Sequence, residues 1–569
     1  MQRIWRIKDI DDTAVAAVAA QTGLSSTIAR LLVLRGVTTA DAADAFLRPT
    51  IATMADPSLL KDMDIAISRL VTAFERQEKI CIYGDYDVDG ITATALLVEG
   101  LSRLGFFVAY HIPNRMDDGY GLSVEALTVI SESGYQVAVS VDCGSTSCIE
   151  AAAARRLGLD LIITDHHQLK DELPDAIAVI NPHRSDSTFP DRNLSGVGVA
   201  FMVLIALRRQ LRLGSYPSYQ DIDLRELLDL VALGTVADLV PLSGLNRSLV
   251  AAGLQVMNRK PRIGISALCE VARVSEPLSS GVIAFQLAPR LNAGGRLESA
   301  VPGVELLLQN DVSQARDLAC QLNERNQERR DLERSMFQEA VSQVSADDLD
   351  SVIVLASERW HQGVVGIVAS RLVERFHRPS IVLAVLPDGI LKGSGRSIPS
   401  VHLLKSLDSC ASLLLKYGGH NVAAGVTLSN TNLEEFKAHF CQSVTQQLDG
   451  CVPAPELLID MELTIDHVSI SFLESLEQLA PFGIGNPQPL FIIKNVMLRN
   501  VREFGDGHLG ATIVRSDGER VSVVGWGMGD RLVSDRCDIV AILMRDRYRG
   551  DRSLKLELKD IRRAEKSTV

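Results

Sequence analysis

Segments of strand length alternate with segments of helical periodicity from about residue 55 onward, and this alternation limits the possible folds more than any other feature. "KICIYGD" precedes the helical "ITATALLVEGLSRLG", and "YQVAVSVDCG" precedes the helical "SCIEAAAARRLG". "LDLIITDHH" and "AIAVINP" extend the series. Alternation of this kind predicts βαβ units and a largely parallel sheet.

Other regions differ in pattern and suggest several domains within the 569 residues. We expect a helical extension over 1–50 and a parallel-sheet α/β domain over 51–300. Residues 301–345 are polar and lack strong helix breakers, which predicts a long connecting helix or helix pair. A second α/β pattern covers 346–452. Short apolar runs within 453–569 predict a small closed β-barrel such as an OB-fold.

The composition is that of an ordinary globular protein, with 46% hydrophobic and 23% charged residues. No apolar run approaches the ~18 residues of a membrane-spanning helix, and the first residues lack the apolar core of a signal peptide. The nine cysteines are scattered without a C-x-x-C pair, which favours free thiols in a reducing compartment. We therefore expect a cytoplasmic protein without membrane contact.

The net charge of −13, taken alone, disfavours a nucleic acid as binding partner. A carboxylate-rich metal site, however, adds negative formal charge that bound cations neutralise. Positive charge is concentrated locally in residues 545–569, which hold nine Lys/Arg against five Asp/Glu. The total charge therefore does not decide the partner.

Metal-capable side chains follow the ends of three predicted strands. They are Asp85, Asp87 and Asp89 after the first strand, Asp142 after the second, and Asp165, His166 and His167 after the third. A further carboxylate, Asp238, lies in the helical or loop segment "ALGTVADLVPL". The carboxyl ends of neighbouring parallel strands meet at one crevice, so we expect these groups to converge.

Carboxylates that converge repel one another and raise each other's pKa, and divalent cations remove that repulsion. The predicted ligands are Asp87, Asp89, Asp142, His166 and Asp238, with Asp85 nearby. Aspartates mixed with histidine suit Mn²⁺ or Mg²⁺ better than Zn²⁺. Four or more carboxylates are too many for one ion, which predicts two ions, the arrangement used for phosphoryl displacement.

Two other readings of the first acidic cluster fail. The spacing D-x-D-x-D-G resembles an EF-hand calcium loop, but position twelve is Leu96 where that loop needs glutamate. A P-loop is excluded because no Gly-Lys-Ser/Thr follows. Single residues of the set also have ordinary structural interpretations: an Asp after a strand is often a helix cap, and Asp165 suits the role of orienting a histidine.

The longer motifs carry a family resemblance. "DHH" at 165–167, "GDYDVDG", "VDCG" and "TVADLVPL" resemble the DHH phosphoesterase superfamily. "IPNRMDDGYGLS", "LSGVGVAF", "NAGGRLESA", "WHQGVVGIVASRL", "GSGRSI", "YGGHNVAAG" and "PFGIGNPQP" narrow the resemblance to the RecJ family, the single-strand-specific 5′→3′ DNA exonucleases. The resemblance runs from about residue 30 to the C-terminus. It implies a DHH domain, a long helix, a DHHA1 domain and a C-terminal OB-fold.

The resemblance also implies roles for individual residues. The implied metal ligands are Asp85, Asp87, Asp89, Asp142, His166 and Asp238. Among the first three, Asp87 and Asp89 are preferred as direct ligands, and Asp142 would bridge the ions. His167 would face the scissile phosphate, and Asp165 would orient a histidine.

Residues outside the metal site are implied to hold the DNA. They are Arg115 and Arg296 at the 5′-terminal phosphate, and Ser394, Arg396 and His420 in the DHHA1 domain. Bases could stack on Trp526 or Tyr548 of the barrel, although a place in the barrel core is the favoured prediction for Trp526.

The implied activity is degradation of single-stranded DNA from its 5′ end to mononucleotides, in recombination and mismatch repair. One alternative is another DHH phosphodiesterase, such as an oligoribonuclease, but the barrel favours a polymer substrate. A second is a non-catalytic DNA-binding subunit, which the complete ligand set disfavours. The resemblance further suggests a monomer that works with single-strand-binding protein and a helicase.

Overall fold

The computed structural model describes residues 3–113, 121–214, 216, 219–274, 277–344, 351–505, 507–531, 536–546 and 553–564. The chain divides into two compact units. The larger unit comprises Trp5–Pro289, Ala300–Ala319 and Leu458–Val569, and the smaller unit comprises Met1–Ile4, Arg290–Ser299 and Cys320–Leu457. None of the helices in these described ranges combines the length and hydropathy that a bilayer crossing requires.

Helices occur in both units. They are α1 (Asp12–Thr22), α2 (Ser26–Val33), α3 (Ala40–Leu47), α4 (Met63–Arg76), α5 (Val88–Leu104), α6 (Val124–Glu132), α7 (Cys148–Arg156), α8 (Gly196–Gly214), α9 (Leu228–Ala237), α10 (Gly244–Arg259), α11 (Ile263–Ala272), α12 (Ser280–Val282), α13 (Ala288–Leu297), α14 (Val301–Leu308), α15 (Val312–Ser342), α16 (Val365–Phe376), α17 (Leu403–Asp408), α18 (Leu433–Gln447) and α19 (Ile470–Glu477). The predicted connecting segment is thus a helix pair, α14 and the 31-residue α15.

The strands of the described residues form four sheets. They are β1 (Ile4–Ile7), β2 (Lys79–Tyr83), β3 (Phe107–His111), β4 (Val137–Val141), β5 (Asp160–Thr164), β6 (Ala178–Ile180), β7 (Ile353–Ser357), β8 (Ser380–Val385), β9 (Ile390–Arg396), β10 (Leu414–Gly419), β11 (Ala423–Ser429), β12 (Glu456–Ile459), β13 (Met461–Leu463), β14 (Phe491–Met497), β15 (Arg499–Phe504), β16 (His508–Val514), β17 (Arg520–Gly525), β18 (Arg536–Arg545) and β19 (Leu554–Arg563).

The first sheet of the larger unit is parallel throughout, in the order β3-β2-β4-β5-β6. Its central strands are buried on both faces, which explains their continuous Val and Ile runs. The prediction of a parallel sheet is confirmed. Strand β3 was not predicted: it lies at the sheet edge, one residue is exposed and the other four are half-buried, so its pattern is weak.

Helices α5, α8 and α9 pack against one another beside this sheet. Most of α5 is buried, and a Cβ at Gly100 would lie 2.6 Å from a Leu204 methyl group, so α5 and α8 approach closely. Both α5 and α8 begin near the carboxyl ends of the strands, and Asp238 is the C-cap residue that follows α9. The helix termini therefore face the crevice where the acidic residues were predicted to meet.

The N-terminal helices share a hydrophobic core with the C-terminal β-domain. Buried residues of α1–α3, including Val18, Leu31 and Leu32, pack with residues such as Phe491 of β14 and Ile539 of β18. The helical prediction for 1–50 holds for α1–α3, but β1 was missed. The packing partner lies more than 400 residues away in the chain, which local patterns cannot reveal.

The β-domain forms an OB-like sheet in the order β13-β14-β18-β19-β17-β16-β15. The prediction that Trp526 lies in the core of this domain is wrong. Strand β17 ends at Gly525, so the Trp526 side chain leaves the sheet, and the residue is 51% exposed. Its Nε1 donates to Glu557 Oε2 at 3.3 Å, and its ring centroid lies 4.9 Å from the ring centroid of His508. Tyr548 lies outside the described residues.

The smaller unit contains a mixed sheet in the order β10-β11-β9-β8-β7. Strands β7 and β8 are parallel, whereas β9, β10 and β11 pair antiparallel. One face is covered by α17, through Leu403 and Leu407, and by α18, through Phe436 and Phe440. The other face is covered by α16 and part of α15. The second α/β pattern of the sequence accordingly folds as an α/β layer structure.

Candidate metal centre

Strands β2, β4 and β5 lie side by side, and this arrangement brings the predicted acidic segments together. The registers pair Ile80 with Val137 and Val137 with Asp160, so the three strands end at the same edge. The loops that follow carry Asp85, Asp142 and the DHH segment, as parallel topology predicts.

The side chains converge around the imidazole of His166. Its Nε2 lies 3.0 Å from Asp142 Oδ1, 3.5 Å from Asp238 Oδ2 and 3.8 Å from Asp89 Oδ2. Among the described residues, three overlapping sets have ligand atoms within 4.8 Å of one another: Asp89, His166 and Asp238; Asp142, His166 and His167; and Asp85, Asp87 and Asp142. The structure thus brings together all six predicted ligands, while their role in binding metal stays a prediction.

The N-terminus of α8 holds Asp89. The backbone N–H groups of Gly196 and Val197 donate to the two Asp89 oxygens at 2.6 and 2.9 Å. A Cβ at Gly196 would lie 2.6 Å from Asp142 Oδ1, so only glycine allows this approach. Positive partial charge at a helix N-terminus stabilises a carboxylate. Sequence reasoning did not assign this role to "LSGVGVAF".

Asp87 has a structural role as well. It is the N-cap of α5, and its Oδ1 accepts hydrogen bonds from the backbone of Asp89 and Gly90 at 3.0 and 3.1 Å. This is the helix-cap interpretation that the sequence left open. The cap occupies Oδ1, and Asp87 still offers a ligand atom in the set with Asp85 and Asp142. Both interpretations therefore apply to the same residue.

Burial and mutual repulsion oppose ionisation of three carboxyl groups. Burial, followed by repulsion from Asp87, raises the pKa of Asp89 to about 7. Burial, followed by Asp89 and Asp87, raises the pKa of Asp238 to about 9. Burial and the same neighbours raise the pKa of Asp142 well above its usual range. Such strongly shifted groups in one crevice are typical of functional sites.

The two histidines differ electrostatically. Burial, followed by the neighbouring His167, lowers the pKa of His166 to about 4, which keeps this ring neutral with a lone pair for a metal. Burial alone would lower the pKa of His167, but the hydrogen bond and charge of Asp165 raise it. The two rings have centroids 4.6 Å apart.

Asp165 orients the DHH loop. Its Oδ1 accepts the backbone N–H groups of His166 and His167 at 2.7 and 3.1 Å and lies 2.8 Å from His167 Nδ1. Its Oδ2 accepts the N–H of Ser145 at 2.9 Å. Although burial would raise the pKa of Asp165, the hydrogen bond from His167 brings it below the usual range. These contacts fit the predicted orienting role.

Three buried polar atoms indicate that the crevice fits a cation. Asp142 Oδ1, His166 Nε2 and Asp238 Oδ2 make no hydrogen bond within the described part of the chain. Buried polar atoms are ordinarily satisfied, and those left over call for an ion or water. Oxygen ligands with one imidazole nitrogen match Mn²⁺ or Mg²⁺. These acidic and histidine groups could therefore hold divalent ions.

The predicted phosphate-binding residues of the smaller unit meet at one end of its sheet. Arg396 Nη1 donates to Ser394 Oγ at 2.6 Å, and the register places Arg396 opposite Ala423. His420 lies in the turn between β10 and β11, where its N–H donates to Ala423 O at 2.8 Å. The three residues therefore occupy neighbouring positions.

The first turn of α16 faces the same residues. A Cβ at Gly366 would lie 3.2 Å from both Arg396 Nη2 and Ser394 Oγ. Arg296 Nη1 lies 3.5 Å from Gly363 O, just before this helix. A helix N-terminus with glycines and arginines is a suitable anion site. Arg115 lies outside the described residues.

Three family models match the chain in succession. The DHH family N-terminal domain matches residues 79–235, the DHHA1 domain matches 349–446, and the RecJ OB domain matches 459–560. The order is the one that the motifs imply.

Curated relatives match over nearly the whole chain, and solved structures agree. The single-stranded-DNA-specific exonuclease RecJ of Salmonella typhimurium is 38% identical over 98% of this chain and 99% of its own length. The Bacillus subtilis protein of the same name is 37% identical over 98% of this chain and 70% of its own length. A crystal structure of RecJ from Thermus thermophilus in complex with Mn²⁺ has a TM-score of 0.84 and 31% identity, over 99% of this chain and 80% of that one. The chain belongs to the RecJ family of single-stranded-DNA-specific exonucleases.

Proposed function

We propose that this chain degrades single-stranded DNA from the 5′ end, releasing mononucleotides by phosphodiester hydrolysis that requires two divalent cations, Mn²⁺ or Mg²⁺. The observation that carries the proposal is the convergence of Asp89, Asp142 and Asp238 on His166. Asp142 Oδ1, His166 Nε2 and Asp238 Oδ2 have no hydrogen-bond partner among the residues that the structure describes. Family membership supplies the substrate class.

The proposed ligands are Asp85, Asp87, Asp89, Asp142, His166 and Asp238. Bound there, two divalent cations would neutralise the carboxylates, polarise the scissile phosphodiester and activate water. Two features of the chain suit these residues to bind cations. The N-terminus of α8 holds the Asp89 carboxylate in place, and burial lowers the pKa of His166 so that its ring stays neutral. Asp142 and His166 each belong to two of the ligand sets, and the family resemblance assigns the bridging position to Asp142.

His167 is proposed to bind the scissile phosphate. Its side chain is 42% exposed, unlike the nearly buried His166 at 10%. Asp165 binds Nδ1, so a phosphate contact would use Nε2. The raised pKa of His167 favours the imidazolium, which donates a charge-assisted hydrogen bond to a phosphate oxygen.

The anion site of the smaller unit is proposed to bind the 5′-terminal phosphate and so to set polarity. Arg396 and Ser394 lie at the first turn of α16, and Arg296 lies beside Gly363. An arginine fork and backbone N–H groups together recognise a terminal phosphate with its extra oxygen. His420, in the turn between β10 and β11, completes the proposed set in this unit. Arg115, outside the described residues, stays a candidate for the same phosphate from the resemblance alone.

The OB-like sheet is proposed to extend the strand path through its exposed aromatic group. Trp526, His508 and Phe504 have ring centroids 4.9 to 6.1 Å apart, and half of Trp526 is exposed. Bases stack on such rings without sequence preference. The proposal also includes a cytoplasmic monomer that receives strands from a helicase and single-strand-binding protein, and acts in recombination and mismatch repair.

The two alternatives are separated by substrate and by activity. An oligoribonuclease-like enzyme would prefer short RNA, whereas the proposed enzyme prefers long single-stranded DNA. A non-catalytic subunit would bind DNA without cleaving it. The complete set of candidate ligands and the OB-like sheet favour the nuclease over both.

An oligonucleotide labelled at one end tests the proposal. With Mn²⁺ and a 5′ label, the wild-type chain should release labelled mononucleotide at once, whereas a 3′ label should stay on long products until late. Asp142→Ala should abolish degradation of the oligonucleotide with either label. Asp9→Ala, which changes a side chain that is 93% exposed, should leave degradation unchanged. Equal rates for wild type and Asp142→Ala would refute the site, and early loss of a 3′ label would refute the polarity.

A further inference from the structure

The side chain of Asn181 is a buried polar group for which the proposed chemistry has no role. Asn181 directly follows β6, the strand that pairs with β5, and it is fully buried. Its Nδ2 donates to Ser145 Oγ at 2.8 Å and to the main-chain oxygen of His167 at 2.9 Å. Its Oδ1 accepts the N–H of His183 at 2.8 Å. Both amide hydrogens are therefore bound to loops of the metal centre.

These contacts close a ring of hydrogen bonds. Asn181 binds Ser145, and the Ser145 N–H binds Asp165 Oδ2 at 2.9 Å. Asp165 Oδ1 binds His167 Nδ1 at 2.8 Å, and His167 returns to Asn181 through its main-chain oxygen. Asp165 thus holds the ring and the N–H of His167, and Asn181 holds its main-chain oxygen. Loss of Asn181 would release that oxygen and allow the backbone that carries the ring to shift.

We infer that Asn181 is a positioning residue that fixes the orientation of His167 toward the scissile phosphate. The inference rests on the proposed function, because it concerns how His167 serves that reaction. Asn181 acts through His167 and does not contact the substrate itself. Its loss should lower the rate of the chemical step more than it weakens the binding of DNA or metal.

A simple structural role would instead lower stability alone, and Asn258 provides the matched control. Asn258 Nδ2 donates to the main-chain oxygens of Leu254 and Leu278 at 2.8 and 2.9 Å, and its Oδ1 accepts the N–H of Leu278 at 2.6 Å. It therefore has the same pattern of two donated bonds and one accepted bond. None of these partners belongs to the candidate metal centre.

The test measures steady-state degradation of a 5′-phosphorylated oligonucleotide by the full chain with Mn²⁺, together with Tm. For Asn181→Ala we expect kcat to fall ~10–100-fold. KM for the oligonucleotide and the Mn²⁺ concentration for half-maximal activity should stay within about 3-fold. Asn258→Ala, at a half-buried position with the same number of bonds, should also lower Tm and leave kcat within about 2-fold of wild type.

A double variant separates positioning from general damage. If Asn181 acts through His167, adding Asn181→Ala to His167→Ala should change kcat by less than about 2-fold. Should Asn181→Ala fail to fold, Asn181→Asp serves instead, since it keeps the acceptor for the His183 N–H but turns a carboxylate toward the oxygen of His167.

Each outcome decides a different point. A full additional loss of kcat in the double variant, or equal kcat for Asn181→Ala and Asn258→Ala, would overturn the inference alone. A wild-type chain that degrades no DNA with Mn²⁺ would overturn the proposed function, and the inference with it.

Discussion

Replacing Asp238 with asparagine should stabilise the metal-free protein and weaken its stabilisation by Mn²⁺. Burial, followed by repulsion from Asp89 and Asp87, raises the pKa of Asp238 from 3.8 to about 9. At pH 7 the folded protein must therefore hold a proton that the unfolded chain releases. This costs up to about 4 kcal/mol, because pH 7 lies 3.2 pH units above the ordinary pKa of 3.8 and each unit corresponds to ~1.36 kcal/mol. Asparagine is neutral and avoids that cost.

The sign of the pH dependence follows from the same shift. Because the pKa is raised on folding, the folded state binds more protons than the unfolded state between pH 3.8 and about 9. Wild-type stability should fall as pH rises through that window, so the gain from Asp238→Asn is present at pH 7 and absent below about pH 4. Because Asp89 and Asp142 share the repulsion, we expect roughly 1–3 kcal/mol, a rise of a few degrees in Tm.

Thermal unfolding in chelator and in Mn²⁺ measures both effects. Mn²⁺ at ~100-fold above its Kd should stabilise wild type by about 2.7 kcal/mol and the variant by much less. Asp9→Asn, an equal charge change at a 93% exposed side chain, should alter neither. A metal-free Asp238→Asn protein that melts below wild type at pH 7, while Asp9→Asn does not, would refute the reasoning.

Further variants test the other parts of the account. Gly196→Ala should weaken Mn²⁺ binding at least ~10-fold in calorimetry, because its Cβ would lie 2.6 Å from Asp142 Oδ1; unchanged affinity would contradict the packing. Arg396→Lys should reduce the preference for 5′-phosphorylated over 5′-hydroxyl strands at least ~10-fold in KM, since lysine lacks the planar fork; an unchanged preference would exclude Arg396 from the 5′ site. Trp526→Ala should weaken binding of long single strands ~5–100-fold by fluorescence anisotropy, the loss of one stacked base; unaltered binding would remove Trp526 from the strand path.

The sequence predicts which side chains form the metal centre, but not which groups hold those side chains in place. Parallel strands bring their carboxyl ends to one edge, so residues such as Asp85, Asp142 and His166 could be placed together from strand pattern alone. Which groups hold them could not be predicted. The sequence at the N-terminus of α8 predicts only the start of an apolar helix. Asn181, which precedes a proline, has the pattern of an ordinary turn residue.

Predictions about packing partners were weaker for a physical reason. The helices of 1–50 were predicted from local periodicity, but their core contacts lie in the β-domain at the other end of the chain. Trp526 has a large apolar side chain of the kind that usually packs in a core. It lies outward because β17 ends one residue earlier, at Gly525. The domain boundaries, including 346–452 for the DHHA1 domain, stay predictions.

The central claim is that residues from separate strands and helices hold two divalent ions together. Anomalous diffraction from crystals soaked in Mn²⁺ tests it most directly. We expect two peaks ~3.5–4 Å apart, both within bonding distance of Asp142 and one beside His166. A single peak, or peaks remote from Asp142 and His166, would contradict the account.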